Sequence, residues 1–336
     1  MRKTLKISTY EDGFDVNTVD CINNAIAAAS GYFQRDYYFM YSFLCSVFGM
    51  MDGYGYSESD FVERTNSLLG YLGLSIQKID ISQMEEKEIA ESIQNEIQSG
   101  HPIILLVKYN TLFFHPNYHD MNDSNNHGII VNAYNSDVNT YGIKDITILD
   151  NQIKVKENSN LHFQLRITQD MLMTILQESN VQHLNEQNQY CNTIYTMCKM
   201  EEKEVSAEEM VEVIIHILKE GKDKLTIMLT DDQEIKKIYD FYSYYGVRFA
   251  GALKAVFYFL HNSELFRTVI ENVGLEQHEE KYCNDRNLIL SRVSIAAVRK
   301  QKLPDEKKKE FIEMIQIDNK GLVDVLEKIL YKLKNK

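Results

Sequence analysis

The sequence predicts an α+β fold, with strands and helices alternating in the first half and a mostly α-helical second half. Three observations carry this. Strand-like and helix-like hydrophobic periods alternate up to about residue 165, and helical periods dominate beyond it. Only three prolines occur in 336 residues, which leaves room for long helices. The composition, 44% hydrophobic and 25% charged, is that of an ordinary globular chain. At about 150 residues per domain, the length suits two domains. The expected division is an α+β domain over residues 1–160 and a helical domain over residues 161–336.

In chain order, Thr4 to Ser8 is strand-like. Asn17 or Thr18 can cap a helix that runs through Cys21, Ala25 and Ala29 to Gly31. Asp36 to Met50 is an aromatic helical stretch, and Ser57 to Gly70 follows with a cap-like Ser57 and Asp60. Leu74 to Ile79 alternates like a strand. Ser82 to Gln98 predicts an amphipathic helix with a Ser82–Glu85 capping box, stopped by Gly100. Pro102 to Tyr109 is a continuous apolar run that suits a buried strand. A polar loop over Asn110 to Asn126 leads into strands at His127 to Tyr134 and Tyr141 to Leu149. The second half predicts helices at Thr168 to Glu178, Ser206 to Glu220, Asp231 to Asn262, Ser263 to Val273, Cys283 to Lys302, Pro304 to Ile317 and Lys320 to Lys334. Asp231 to Asn262 reads as one helix or as two broken at Gly246.

The bulk numbers exclude several function classes. A net charge of −13 disfavours nucleic-acid binding, because phosphates would be repelled. No apolar run approaches the roughly 20 residues of a membrane span. Met1 to Ser8 carries no signal-peptide apolar region, so a cytoplasmic location is expected. The five cysteines are odd in number and no pair has C-x-x-C spacing. A zinc ribbon, a thioredoxin-type motif and a disulfide scaffold are therefore poor readings.

The residue types that could carry chemistry fall in the first half, in the order Cys21, His127, Asp150. Cys21 sits in the first turn of a helix, where free backbone N–H groups favour a thiolate. A neighbouring imidazole would pair with that thiolate and deliver a proton to a leaving group. An acid beyond the imidazole would orient it. The backbone N–H of Cys21 would itself supply an oxyanion donor. His127 opens a strand and Asp150 ends the next, so an antiparallel pair would make them neighbours. Asp145 is the alternative acid, although a mid-strand acid is expected to face solvent. Against all this stands the ordinary use of a helical Cys as a small buried hydrophobe.

Several segments together resemble a known family. Asp20-Cys21-Ile22-Asn23-Asn24-Ala25 is similar to the catalytic-Cys helix of papain-like, peptidase C39-type domains. Gly100-His101-Pro102-Ile103-Ile104-Leu105 is similar to their G-x-P-V strand, and Asn126 to Tyr134 to their catalytic-His strand. Ile146 to Asn151 resembles the strand end that carries the third residue. The layout most resembles the butirosin biosynthesis protein H type, a papain-like N-terminal domain followed by a helical one. That resemblance implies an acyltransferase of small-molecule, antibiotic-type biosynthesis. The acyl group would come from the phosphopantetheine thioester of an acyl or peptidyl carrier protein and pass through a cysteine to a small-molecule amine. Carried over, Cys21 is the nucleophile, His127 the acid and base, and Asp150 the orienter. No cofactor or metal is implied beyond the carrier's phosphopantetheine. The Gln that such enzymes usually place before the Cys is Asp15 here, so Asn17 and Asn126 are the candidate oxyanion or substrate contacts. Position 133 is Ala where Gly is common, and position 151 is Asn where Pro is common. A hydrolase with the same triad and a non-catalytic scaffold are the alternative readings.

Three further features have a structural and a functional reading. The aromatics between Tyr32 and Tyr56 either pack helices together, the commoner use, or line an acyl channel. The loop His115 to Asp120, with Asp123, either borders the cleft or holds a metal, and Pro116 argues against a helical His pair. The run Arg299 to Lys302 with Lys307 to Lys309 is either a solvated helix face or a docking site for an acidic partner.

Overall fold

The computed structural model describes residues 2–7, 19–51, 61–115, 117–122, 125–145, 163–187, 189–200, 204–220, 226, 229–230, 257–299 and 301–336. It divides into two compact units. The first takes residues 1–16, 20–41 and 58–204, and the second residues 17–19, 42–57 and 205–336.

The first unit is built on an antiparallel sheet. Its strands are β1 (Arg2–Thr4), β2 (Leu74–Asp80), β3 (Ile103–Lys108), β4 (Asn126–Asn135), β5 (Thr140–Asp145), β6 (Phe163–Thr168) and β7 (Thr193–Lys199). They run in the order β2-β7-β3-β4-β5-β6, with β1 also paired to β4. The helices of this part of the chain are α1 (Cys21–Phe33), α2 (Arg35–Met51), α3 (Phe61–Leu69), α4 (Glu86–Ser99) and α5 (Gln169–Asn185). The apolar run Pro102 to Tyr109 becomes β3, buried at every position because helices and neighbouring strands cover it. A strand covered on both faces loses the alternation of a half-exposed one.

Local chemistry moves two predicted caps. The first helix begins at Cys21, not at Asn17 or Thr18, because Asp20 is the cap and accepts from the Asn23 backbone N–H at 2.8 Å. Asn17 and Thr18 lie outside the described residues. The fourth helix starts one turn late. The Ser82 N–H donates to Asp80 Oδ1, so Ser82 closes a turn, and Glu85 and Glu88 form the capping box.

The sheet does not stop at residue 160. β6 closes on β5, and β7 inserts between β2 and β3, so this unit runs on to Glu204. β7 reads Thr-Ile-Tyr-Thr-Met-Cys-Lys, and its β-branched residues suit a central strand.

The second unit contains α6 (Ala207–Glu220), α7 (Leu275–Val298) and α8 (Asp305–Lys334). The expected capping box at the start of α6 is present: the Ser206 N–H donates to Glu209 Oε2 at 2.7 Å, and the Glu209 N–H to Ser206 Oγ at 3.2 Å. Leu229, Ile289, Leu290, Val293, Leu303, Phe311 and Ile315 form a core cluster. Ser263 to Val273 is a series of turns instead of a helix. The two helices expected after Pro304 are one, because α8 runs straight through Gly321. A Cβ there would come within 2.8 Å of the His278 ring, so the glycine marks a close approach of α7 and not a break. The predicted helix Asp231 to Asn262 lies outside the described residues as far as residue 256. Among the described residues, no helix is long and apolar enough to cross a membrane.

Candidate active site

Cys21 occupies the first position of α1, and His127 is the second residue of β4. What brings them together is Gly128. A Cβ at that position would lie 2.9 Å from Ile22 Cα and 3.0 Å from the Cys21 carbonyl oxygen. The missing side chain lets the start of α1 rest directly on β4. Cys21 Sγ donates to the Asn126 carbonyl at 3.5 Å. Asn126 therefore meets the sulfur through its backbone, as an acceptor.

His127 has no solvent exposure. Its Nε2 lies 2.7 Å from Asp145 Oδ2, and both side chains are fully buried. Strand register explains the pairing. Ile130 faces Lys144, so Asp145 falls opposite Ile129, two residues along β4 from His127 and on the same face. The expectation that Asp145 faces solvent does not hold. β5 is bonded on one side to β4 and on the other to β6, and Tyr141 to Asp145 are all buried. A carboxylate there requires a partner, and the imidazole is one. Asp150 and Asn151 lie outside the described residues.

The electrostatics follow from this geometry. Burial alone would push the His127 imidazole down. The charge and hydrogen bond of Asp145, with smaller contributions from Cys21, outweigh burial and raise the group from 6.5 to about 10. With Nε2 engaged by Asp145, Nδ1 is the ring nitrogen left to face the sulfur. This is the arrangement in which an imidazolium can neighbour a thiolate.

Two aromatic neighbours were not singled out from the sequence. Tyr109 stacks on the His127 ring at 4.1 Å and 27°, and His115 stacks on Tyr109 at 4.3 Å. Register could have found Tyr109. Val107 faces His127, and Tyr109 is the first residue of the 3-10 turn Tyr109–Thr111 that follows β3, two residues further along the chain. The second is Tyr190, which is buried against Phe61. Its pKa is raised by burial first, with Asp20 and Cys21 adding to the rise and Arg64 and Gln189 opposing it.

The loop His115 to Asp120 does lead to this site, through the His115 ring. Among the described residues, no three His, Cys, Asp or Glu side chains gather as a metal group. Of the described aromatics, Tyr37, Tyr38, Phe39, Tyr41 and Phe43 are buried and Tyr32 and Phe33 half-buried, and Tyr41 OH donates to Asn23 Oδ1 at 3.0 Å. None of the five cysteines is in a disulfide. No family model matches the chain, and no curated protein matches it.

Proposed function

We propose that the chain is a cysteine-dependent acyltransferase that takes its acyl group from a carrier-protein thioester and passes it to a small-molecule amine. The observation that carries the reading is the buried Asp145–His127 pair beside Cys21 at the start of α1. The N-terminal unit is read as papain-like, and the resemblance of its segments to carrier-dependent acyltransferases supplies the substrate class.

The chemistry balances in two steps. The Cys21 sulfur attacks the thioester carbonyl. The C–S bond to the carrier breaks, and His127 gives its proton to the departing carrier thiolate. The amine then attacks the Cys21 thioester, His127 takes the amine proton, and the sulfur leaves as the amide forms. Asp145 keeps the imidazole oriented and stabilises its charged form throughout. The Cys21 N–H serves as one oxyanion donor. Exchange between thioesters changes little in free energy, whereas amide formation draws the second step forward.

Intact-mass analysis after incubation with an acyl-carrier thioester tests this. The expected result is a covalent acyl adduct on Cys21 that is absent from Cys21→Ala and is discharged by an amine. An adduct that persists in Cys21→Ala overturns the reading. Discharge to water at the same rate with and without amine would make the protein a hydrolase.

A further inference from the structure

Two residues of the basic run found in the sequence, Lys302 and Lys307, line a cavity of about 380 Å³ between α7 and α8 in the second unit. Its apolar surface includes Leu288, Ile295 and Phe311, and Arg292, Lys302 and Lys307 also line it. Leu288, Arg292 and Ile295 recur at four- and three-residue steps, so they share one face of α7. Leu288 and Ile295 are 44% and 45% exposed, whereas Ile289, Leu290 and Val293 of the same helix are buried in the core cluster. Among the described residues, three cations and one acid, Glu310, line the cavity, and Glu310 pairs with Lys307. This positive patch lies on a chain of net charge −13.

We infer that this groove docks an acidic amphipathic α-helix of a partner protein. An apolar floor between two helices accepts the apolar face of a third at the usual four- and seven-residue spacing. The cations come from α7, from the connection after it and from α8. They suit several carboxylates distributed along a helix better than one carboxylate head group. Complementary charge at the rim steers encounter and rejects basic partners. The inference is independent of Cys21 chemistry and holds or fails without it.

The test uses the full chain and two labelled synthetic peptides of 18 residues. Both carry a leucine face; one carries glutamates on the opposite face and the other lysines. Fluorescence anisotropy should show binding of the glutamate peptide alone, weakening as salt is raised. Arg292→Glu with Lys307→Glu should weaken it at least tenfold, as should Ile295→Asp. Lys328→Glu, an exposed change outside the cavity, should leave it unchanged. Circular dichroism melts confirm that each variant is folded, and Ile295→Ser replaces Ile295→Asp if the latter is not. Equal binding of both peptides, or unchanged binding by the groove variants, overturns the proposal. Self-association lost in Ile295→Asp, without peptide binding, overturns it in favour of a second copy of the chain.

Discussion

Asp145 Oδ2 sits 2.7 Å from His127 Nε2, and neither side chain touches solvent. A carboxylate in that position fixes the ring orientation and holds the proton on the nitrogen facing it. Asp145→Asn keeps the shape and removes the charge. We predict that acyl transfer in Asp145→Asn falls by roughly 10³-fold or more, as for loss of an orienting acid in other nucleophile–imidazole–acid sites. Asp150→Asn should lie within a few-fold of the parent protein. Single-turnover acylation followed by mass spectrometry measures both. The reverse ranking would return the orienting role to Asp150.

The same pair makes stability depend on pH. Burial works against the charged ring, but Asp145 dominates and raises the folded-state pKa to about 10 from an ordinary 6.5. A raised pKa means that the folded state holds its proton more tightly than the unfolded state does. The pair's contribution is therefore fully present below pH 6.5 and is lost as pH rises through about 10. The expected outcome is a thermal-stability gap between the parent protein and His127→Gln that is widest near pH 6 and closes towards pH 10. Comparing the two proteins removes the titration of other groups. A gap that stays constant over that range would mean the ring is buried uncharged.

Much of this site was legible from residue types, and what was not has physical causes. Cys21 and His127 could be read because a helix start and a strand start leave marks in the sequence. Asp145 could not be assigned because the rule that mid-strand acids face water assumes a strand with a wet face. β5 has none, and only the burial of Tyr141 to Asp145 on both of its faces in the folded chain shows that. β7 is hidden in the sequence for a different reason. Seven residues of mixed polarity in a helix-rich half carry no local sign that they will sit between β2 and β3. The sequence points to Ser82 as the cap, with Glu85 as its box partner, because hydroxyl caps are common. The carboxylate of Asp80, two residues earlier, claims the Ser82 N–H instead.

Gly128 controls the distance between Cys21 and the His127 imidazole. A methyl group there would press on the backbone of Ile22 and Cys21, and backbone cannot rotate away as a flexible side chain can. Gly128→Ala should therefore lift the start of α1 off β4. Overpacking of this kind typically costs about 1–3 kcal/mol of stability. Activity should suffer more than stability, because positioning errors near 1 Å can cost about 10²-fold in rate. Denaturant unfolding and Cys21 acylation rates, measured on the same sample, separate the two effects. A variant that loses stability but acylates normally would show that α1 has other room to shift.

Tyr109 holds the imidazole from its other side. Its ring lies 4.1 Å from the His127 ring at 27°, close to parallel, and His115 backs it at 4.3 Å. A stacked ring resists tilting of the imidazole without taking part in proton transfer, so its role is positioning. Ring–ring contacts of this sort are worth about 0.5–1.5 kcal/mol. Tyr109→Phe keeps the stacking face and should acylate within about twofold of the parent protein. Tyr109→Ala should slow acylation by about tenfold while leaving the apparent affinity for the thioester unchanged, because the loss falls on the reacting geometry. Steady-state kinetics at several thioester concentrations distinguishes this from a binding defect. If the loss appears in KM, or if Phe is as poor as Ala, the hydroxyl contacts substrate and Tyr109 acts as a binding residue.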